Sequence, residues 1–205
     1  RSRPALRKHV HYPSKPVCCR RFHAVFILVV MISFDDFDAW GDAISGAHLR
    51  LMCDAVETPA WTLGMLELGD VVLQMATEGG GNICHGANTH AGAILFVPLT
   101  RAREHVVNGV ALDDDSLLAI PRGADFSIRV RRRAHAWCSV ALPDGVGITD
   151  ARTSGSAKVA CRPGALRGLR RMVNEIGAAL LDRPAGTAAH GAAGIALRDA
   201  ASKQP

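Results

Sequence analysis

Residues 117–131 read Leu-Leu-Ala-Ile-Pro-Arg-Gly-Ala-Asp-Phe-Ser-Ile-Arg-Val-Arg. The second half alternates strictly. Phe126, Ile128 and Val130 fall on one side of an extended chain, and Ser127, Arg129 and Arg131 on the other, so this segment predicts a strand with one buried and one wet face. The short apolar run before it is set off by Pro121-Arg122-Gly123, a turn sequence. Working outward, the same rhythm holds from Trp61 to about Leu142. Short apolar runs are broken by Gly, Asp, Asn or Pro roughly every eight to twelve residues, the pattern of an antiparallel sandwich or barrel. The strands expected are 61–67, 70–77, 93–98, 105–107, 117–120, 126–131 and 136–142. Leu68-Gly69-Asp70 links two of them, and Asn108-Gly109 is a tight-hairpin pair because both residues tolerate positive φ.

The flanks are helical in character. Over 35–52, Phe37, Trp40, Ile44, Leu49 and Met52 form a loose one-sided stripe, weakened by Gly46. Residues 143–163 are polar and read as a linker. Residues 165–182 carry Leu166, Leu169, Met172, Val173, Ile176 and Leu180 on one stripe, an amphipathic helix ended by Pro184 and Gly186. An Ala-rich second helix is expected over 188–201. The fold class is mainly β with flanking helices, divided into a leader at 1–30, a β unit with its N-terminal helix at 31–143, a linker at 144–163 and a helical segment at 164–205.

Charge and cysteines narrow the function. The chain of 205 residues is 48% hydrophobic and 21% charged, enough for a real core. Its net charge of +5 is concentrated in residues 1–21, which hold seven of the 24 Lys and Arg and none of the 19 acids. The rest carries a net charge of −2 and offers no broad basic face for nucleic acid. Among six cysteines, Cys18 and Cys19 are adjacent, and Cys53, Cys84, Cys138 and Cys161 are scattered without metal-finger spacing. Scattered thiols suit a reduced, cytoplasmic protein. The apolar run 24–34 is shorter than the roughly 20 residues a bilayer needs. It has basic residues ahead of it, as in a secretory signal, but no small-residue cleavage site follows. Two readings remain for the leader: translation begins at Met31, or the segment is a genuine N-terminal strand or membrane-proximal piece.

Val107-Asn108-Gly109-Val110-Ala111-Leu112, then Leu118 to Phe126, then Trp137 and Ala141-Leu142-Pro143 together resemble the sensor domain of AraC-type bacterial transcription regulators. Leu66 to Val71 resembles that domain's early strand pair, and Ala93 to Leu99 its middle strand. The resemblance covers residues 35–182 and rests on packing and turn motifs. It implies a cupin-like barrel that binds a small-molecule effector, followed by helices that form a homodimer. In the family a C-terminal module with paired helix-turn-helix units reads DNA. Nothing in 143–205 reads as a pair of recognition helices, so DNA contact is expected only through a module absent from this chain. Neither a cofactor nor a membrane partner is implied.

A pocket in the barrel would be lined by Trp61, Met75, His90, Phe96, His105 and Trp137, which lie on or beside the expected strands. The dimer contact falls to Leu169, Met172, Val173, Ile176 and Leu180, with an intramolecular amphipathic helix as the alternative. The competing reading is a stand-alone metal-binding cupin enzyme using His85, His90, Glu104 and His105. Spacing argues against it: His85 and His90 are separated by loop-forming residues, and Glu104 and His105 would point to opposite faces of a strand. Gly79-Gly80-Gly81 lacks the Lys-Ser/Thr of a phosphate loop and reads as a flexible turn. Ser116, Ser127 and Ser139 occupy no nucleophile elbow. Asp113-Asp114-Asp115 lacks the ligand alternation of a calcium loop.

Overall fold

A computed structural model describes residues 30–68, 70–146 and 155–181. The leader up to residue 29, the linker at 147–154 and the second helix expected over 188–201 lie outside the described residues. The described chain is mainly β. Twelve strands run as β1 (Val30–Phe34), β2 (Ala47–Val56), β3 (Trp61–Leu68), β4 (Val71–Glu78), β5 (Gly80–Asn88), β6 (Ile94–Pro98), β7 (Val106–Val107), β8 (Val110–Ala111), β9 (Ser116–Ile120), β10 (Asp125–Val130), β11 (His135–Ala141) and β12 (Ala157–Ala160). Two helices accompany them, α1 (Phe37–Asp42) and α2 (Ala165–Leu181).

The strands form two antiparallel sheets that do not close into one. The larger has the order β1-β3-β4-β11-β6-β9-β12, and the smaller β2-β5-β10-β7-β8. Between them lies an inner core to which both sheets contribute, with Leu63, Phe96 and Trp137 from one and Cys84, Phe126 and Ile128 from the other. A second core covers the opposite face of the larger sheet, where Leu73, Met75, Val97 and Cys138 pack against Leu166 and Val173 of α2. Strand alternation produces both cores from the same strands: Phe96 and Trp137 face in, and their neighbours Val97 and Cys138 face out. The smaller sheet is covered on one face. In β10, Phe126, Ile128 and Val130 are buried and the residues between them are not, as the alternation requires.

The turns form where their chemistry places them. Asn108 and Gly109 take φ of 48° and 82°, joining β7 to β8 with Val107 opposite Val110. Gly123 takes φ of 70° in the turn between β9 and β10, where the Ala124 N–H donates to Pro121 O at 3.1 Å.

Three expectations are corrected. The helix over 35–52 is only six residues long. Asp36 caps it, its Oδ2 accepting from Ala39 N at 3.1 Å, and Gly46 at φ 85° turns the chain into β2. From Ala47 onward the period is two: His48, Arg50, Met52 and Asp54 are exposed and the residues between them are half-buried. Leu49 and Met52 therefore lie on opposite faces of a strand. Gly79-Gly80-Gly81 is no flexible turn but leads into β5, an interior strand of the smaller sheet between β2 and β10. A Cβ on Gly80 would run into the Ala55 backbone, and one on Gly81 into the Arg132 backbone. The stretch 143–163 is not linker throughout, because Ala157–Ala160 adds an edge strand to β9. Upstream, Val30–Phe34 pairs with β3 from Met65 to Trp61, so the apolar run ends in a strand.

Candidate functional site

The inner core is not filled. A cavity with about 600 Å³ of empty space, counting its mouth, opens between the sheets. One wall is Leu49 and Leu51 of β2, Cys84 of β5 and Phe126 and Ile128 of β10; the other is Ile94, Phe96, Ile120 and Trp137. Trp40 and Ile44 close one side from α1 and the loop after it. That loop is held by Gln74, a buried residue of β4. Its Nε2 donates to Ser45 O at 2.8 Å and its Oε1 accepts from Ser45 N at 3.2 Å. An amide clamped at both ends fixes the loop in one position. Trp40 is fully buried, its indole N–H reaches Thr62 O at 3.2 Å, and its ring meets Trp137 edge-on at 6.5 Å. Phe96 lies 5.7 Å from Trp137.

One end of this apolar space is polar. Glu78, the last residue of β4, faces inward with only 3% of its side chain exposed. Its Oε1 accepts from Trp137 Nε1 at 2.5 Å and lies 3.4 Å from His135 Nε2. Its Oε2 accepts from Asn82 Nδ2. Strand register brings these groups together, since His135 is the cross-strand partner of Glu78. His135 Nδ1 donates to the carbonyls of Gly80 and Arg133, both at 3.1 Å, which turns Nε2 toward the carboxylate. Burial alone would push the His135 pKa down. The hydrogen bond to Glu78 and its charge, helped by the two carbonyls, more than reverse this, and the net direction is up.

His105 stands behind His135, ring edge to face at 5.1 Å, and is completely buried. Burial and then the charge of His135 depress its pKa to about 4, against a smaller opposing effect of the Arg101 carbonyl. Its Nδ1 donates to that carbonyl at 3.0 Å, and its Nε2 has no hydrogen-bond partner. The Cys84 thiol is held up at about 12 by burial and by the Glu78 charge, so it lines the cavity as a neutral group.

Of the six residues expected to line a pocket, the structure brings Phe96 and Trp137 to the cavity wall. Trp61 joins the inner core against Phe37, 6.2 Å away, without reaching the wall. His105 is one layer back. Met75 points the other way, into the outer core. His90 is half-buried in the loop after β5, its Nε2 donating to Leu142 O at 3.0 Å, and does not line the cavity. The residues proposed for a metal do not converge. His85 is exposed on β5, Glu104 pairs with Arg101 at 3.2 Å on the surface, and among the described residues no three His, Cys, Asp or Glu gather as a metal site.

Sequence reasoning missed Glu78, Asn82, His135 and Trp40. Glu78 had a signal, a single acid closing an apolar strand, but the strand was expected to end at 77. The stripe assigned to the dimer divides. Val173 is 1% exposed and Leu169 packs against the outer core, Met172 is 45% exposed, and the side chains of Ile176 and Leu180 lie outside the described residues.

Among the described residues Cys53, Cys84, Cys138 and Cys161 are free thiols, and no helix is long and apolar enough to cross a membrane. A scan against protein-family models and searches of curated proteins and of solved structures find no match to this chain.

Proposed function

We propose that this chain is the effector-sensing and dimerisation domain of an AraC-type transcription regulator of the cytoplasm, with a cupin-like β unit that binds a small molecule and performs no catalysis. The observation that carries this reading is the apolar cavity with one polar end. Ligand sites have this character: concave and mostly apolar, with a few placed polar groups. The segments that resemble the family, Leu118 to Phe126 and Trp137, supply part of its wall. A stand-alone metal-dependent cupin enzyme lacks comparable support, because its candidate ligands are dispersed.

In this reading the effector binds among Trp40, Phe96 and Trp137, and the occupied cavity favours one arrangement of two chains over another. The exposed Met172 on α2 belongs to the contact between chains. DNA is bound by a helix-turn-helix module outside this chain. Titration of the protein with sugars, fatty acids, aromatic acids and neutral aromatics tests it, read by tryptophan fluorescence. Two of the three tryptophans border the cavity, so a saturable change is expected with one class. No response to any class would leave dimerisation as the sole role. Reading the coding frame past Pro205 tests the second half: a following pair of helix-turn-helix patterns is expected.

A further inference from the structure

The polar end of the cavity narrows what the cavity takes. This step rests on the reading of the cavity as a ligand site. Among the described residues, Glu78 and His135 are the only charged side chains on the wall, and neither Arg nor Lys lines it. The two face each other at 3.4 Å and are nearly unexposed. Together they are neutral when His135 carries its proton. An anionic ligand would lose its hydration here, approach a fixed carboxylate and find no unpaired cation. A cationic ligand would bring an uncompensated charge beside His135.

Hydrogen-bond capacity points to one group. A carboxylate oxygen has room for about two donors. Oε1 of Glu78 already faces two, Trp137 Nε1 and His135 Nε2, whereas Oε2 receives only Asn82 Nδ2. One acceptor position is therefore open at the end of a space walled by aromatic rings. Trp40, Phe96, Phe126 and Trp137 present faces and edges suited to another flat ring.

We propose that the cavity selects a neutral aromatic molecule with a single hydrogen-bond donor, a phenol or an indole, placing the donor on Glu78 Oε2 and excluding aromatic carboxylates.

The test is calorimetric titration of the full chain with three ligands that share a ring: 4-methylphenol, 4-methylanisole and 4-methylbenzoate. The phenol is expected to bind. The ether, which has no donor, and the carboxylate are each expected to bind at least about tenfold more weakly, the worth of one hydrogen bond to a charged group. Ether or carboxylate binding as tightly as the phenol would overturn the proposal while leaving the cavity a ligand site. Failure of all three, with a fluorescence response to a sugar or fatty acid, would likewise overturn it and spare the sensor reading; silence across every class would remove both. The wild-type series needs no variant to fold. Where Glu78→Gln folds, it should cost the phenol about tenfold and leave the ether unchanged; equal losses for both would overturn the role of Glu78.

Discussion

The larger sheet is buried on both faces, and the two faces are built for different ends. Its outer face meets α2 through aliphatic and sulfur side chains, Leu66, Leu73, Met75, Val97 and Cys138 against Leu166 and Val173. Its inner face meets the smaller sheet through large rings and leaves a cavity with a buried carboxylate at one end. Both faces come from alternate residues of the same strands. The outer face is packed by side chains that line no part of the cavity. The inner face spends interior volume on an opening, and it accepts an ion pair whose desolvation the surrounding donors must offset. The contrast separates side chains that only pack against one another from those that surround the cavity.

The largest test breaks the polar end. His135→Ala removes the partner of the buried Glu78 carboxylate; below pH 6.5, where the raised pKa keeps His135 charged, a loss of about 4 kcal/mol is expected in urea unfolding. A loss under about 1 kcal/mol would mean that Glu78 is solvated in the folded protein and the inner face is wetter than described. Close behind comes a matched pair of truncations. Leu73 and Ile120 are 3% and 2% exposed, but only Ile120 borders the cavity. A side chain beside a void already lacks partner atoms on one side. Leu73→Ala should therefore cost about 4 kcal/mol and Ile120→Ala about 2 kcal/mol. Equal losses would show that the cavity closes in solution.

A third test uses pH. His105 has a pKa of about 4 in the folded protein against an ordinary 6.5, so the unfolded chain binds the proton first. Its contribution is fully present above pH 6.5 and is lost as pH falls through 4, amounting to about 3 kcal/mol. His135 acts in the opposite sense. Its pKa is raised, so its contribution is present below 6.5 and is lost as pH rises through the folded value. Stability followed against pH should therefore fall away on both sides of about 6.5, and His105→Gln should flatten the acid side. An unchanged acid slope in that variant would assign the loss to carboxylates elsewhere.

The smallest effect on stability concerns the outside of α2. Met172→Asp should alter unfolding by no more than about 0.5 kcal/mol, because the side chain is half exposed. The same change should shift sedimentation from dimer to monomer. A dimer that persists would place the contact elsewhere and leave α2 a purely intramolecular helix.

Much of the β architecture was legible in the chain, and the reasons differ by element. β10 and β11 show period-two alternation over a solvated or a covered face, and the Asn108-Gly109 hairpin has chemistry that admits little else. β2 was legible too, in the alternation of His48, Arg50, Met52 and Asp54, but the nearby Trp40 and Ile44 lent it a false helical stripe. β5 was hidden by its glycines. Three in a row signal freedom in an isolated chain, whereas here they are needed because the neighbouring backbones leave no room for a Cβ. Phe96 and Trp137 could be assigned to the interior from strand position, but position alone could not tell Trp61 and Met75, equally apolar, from cavity-lining residues.

Periodicity and turn chemistry act over a few residues and need no partner, so the mainly β class, the turns at Asn108-Gly109 and Pro121-Gly123 and the helix beginning at Ala165 were readable from the chain alone. Which face of the larger sheet holds a cavity, and which side chains meet at its end, follows instead from how the strands pair and the sheets pack. Glu78, Asn82, His135 and Trp137 lie on three strands, and no local pattern links them. Strand pairing places His135 opposite Glu78, and the short connection from β4 to β5, which crosses from one sheet to the other, brings in Asn82. Register and sheet packing are long-range choices, made by the burial of whole faces rather than by any residue's own preference.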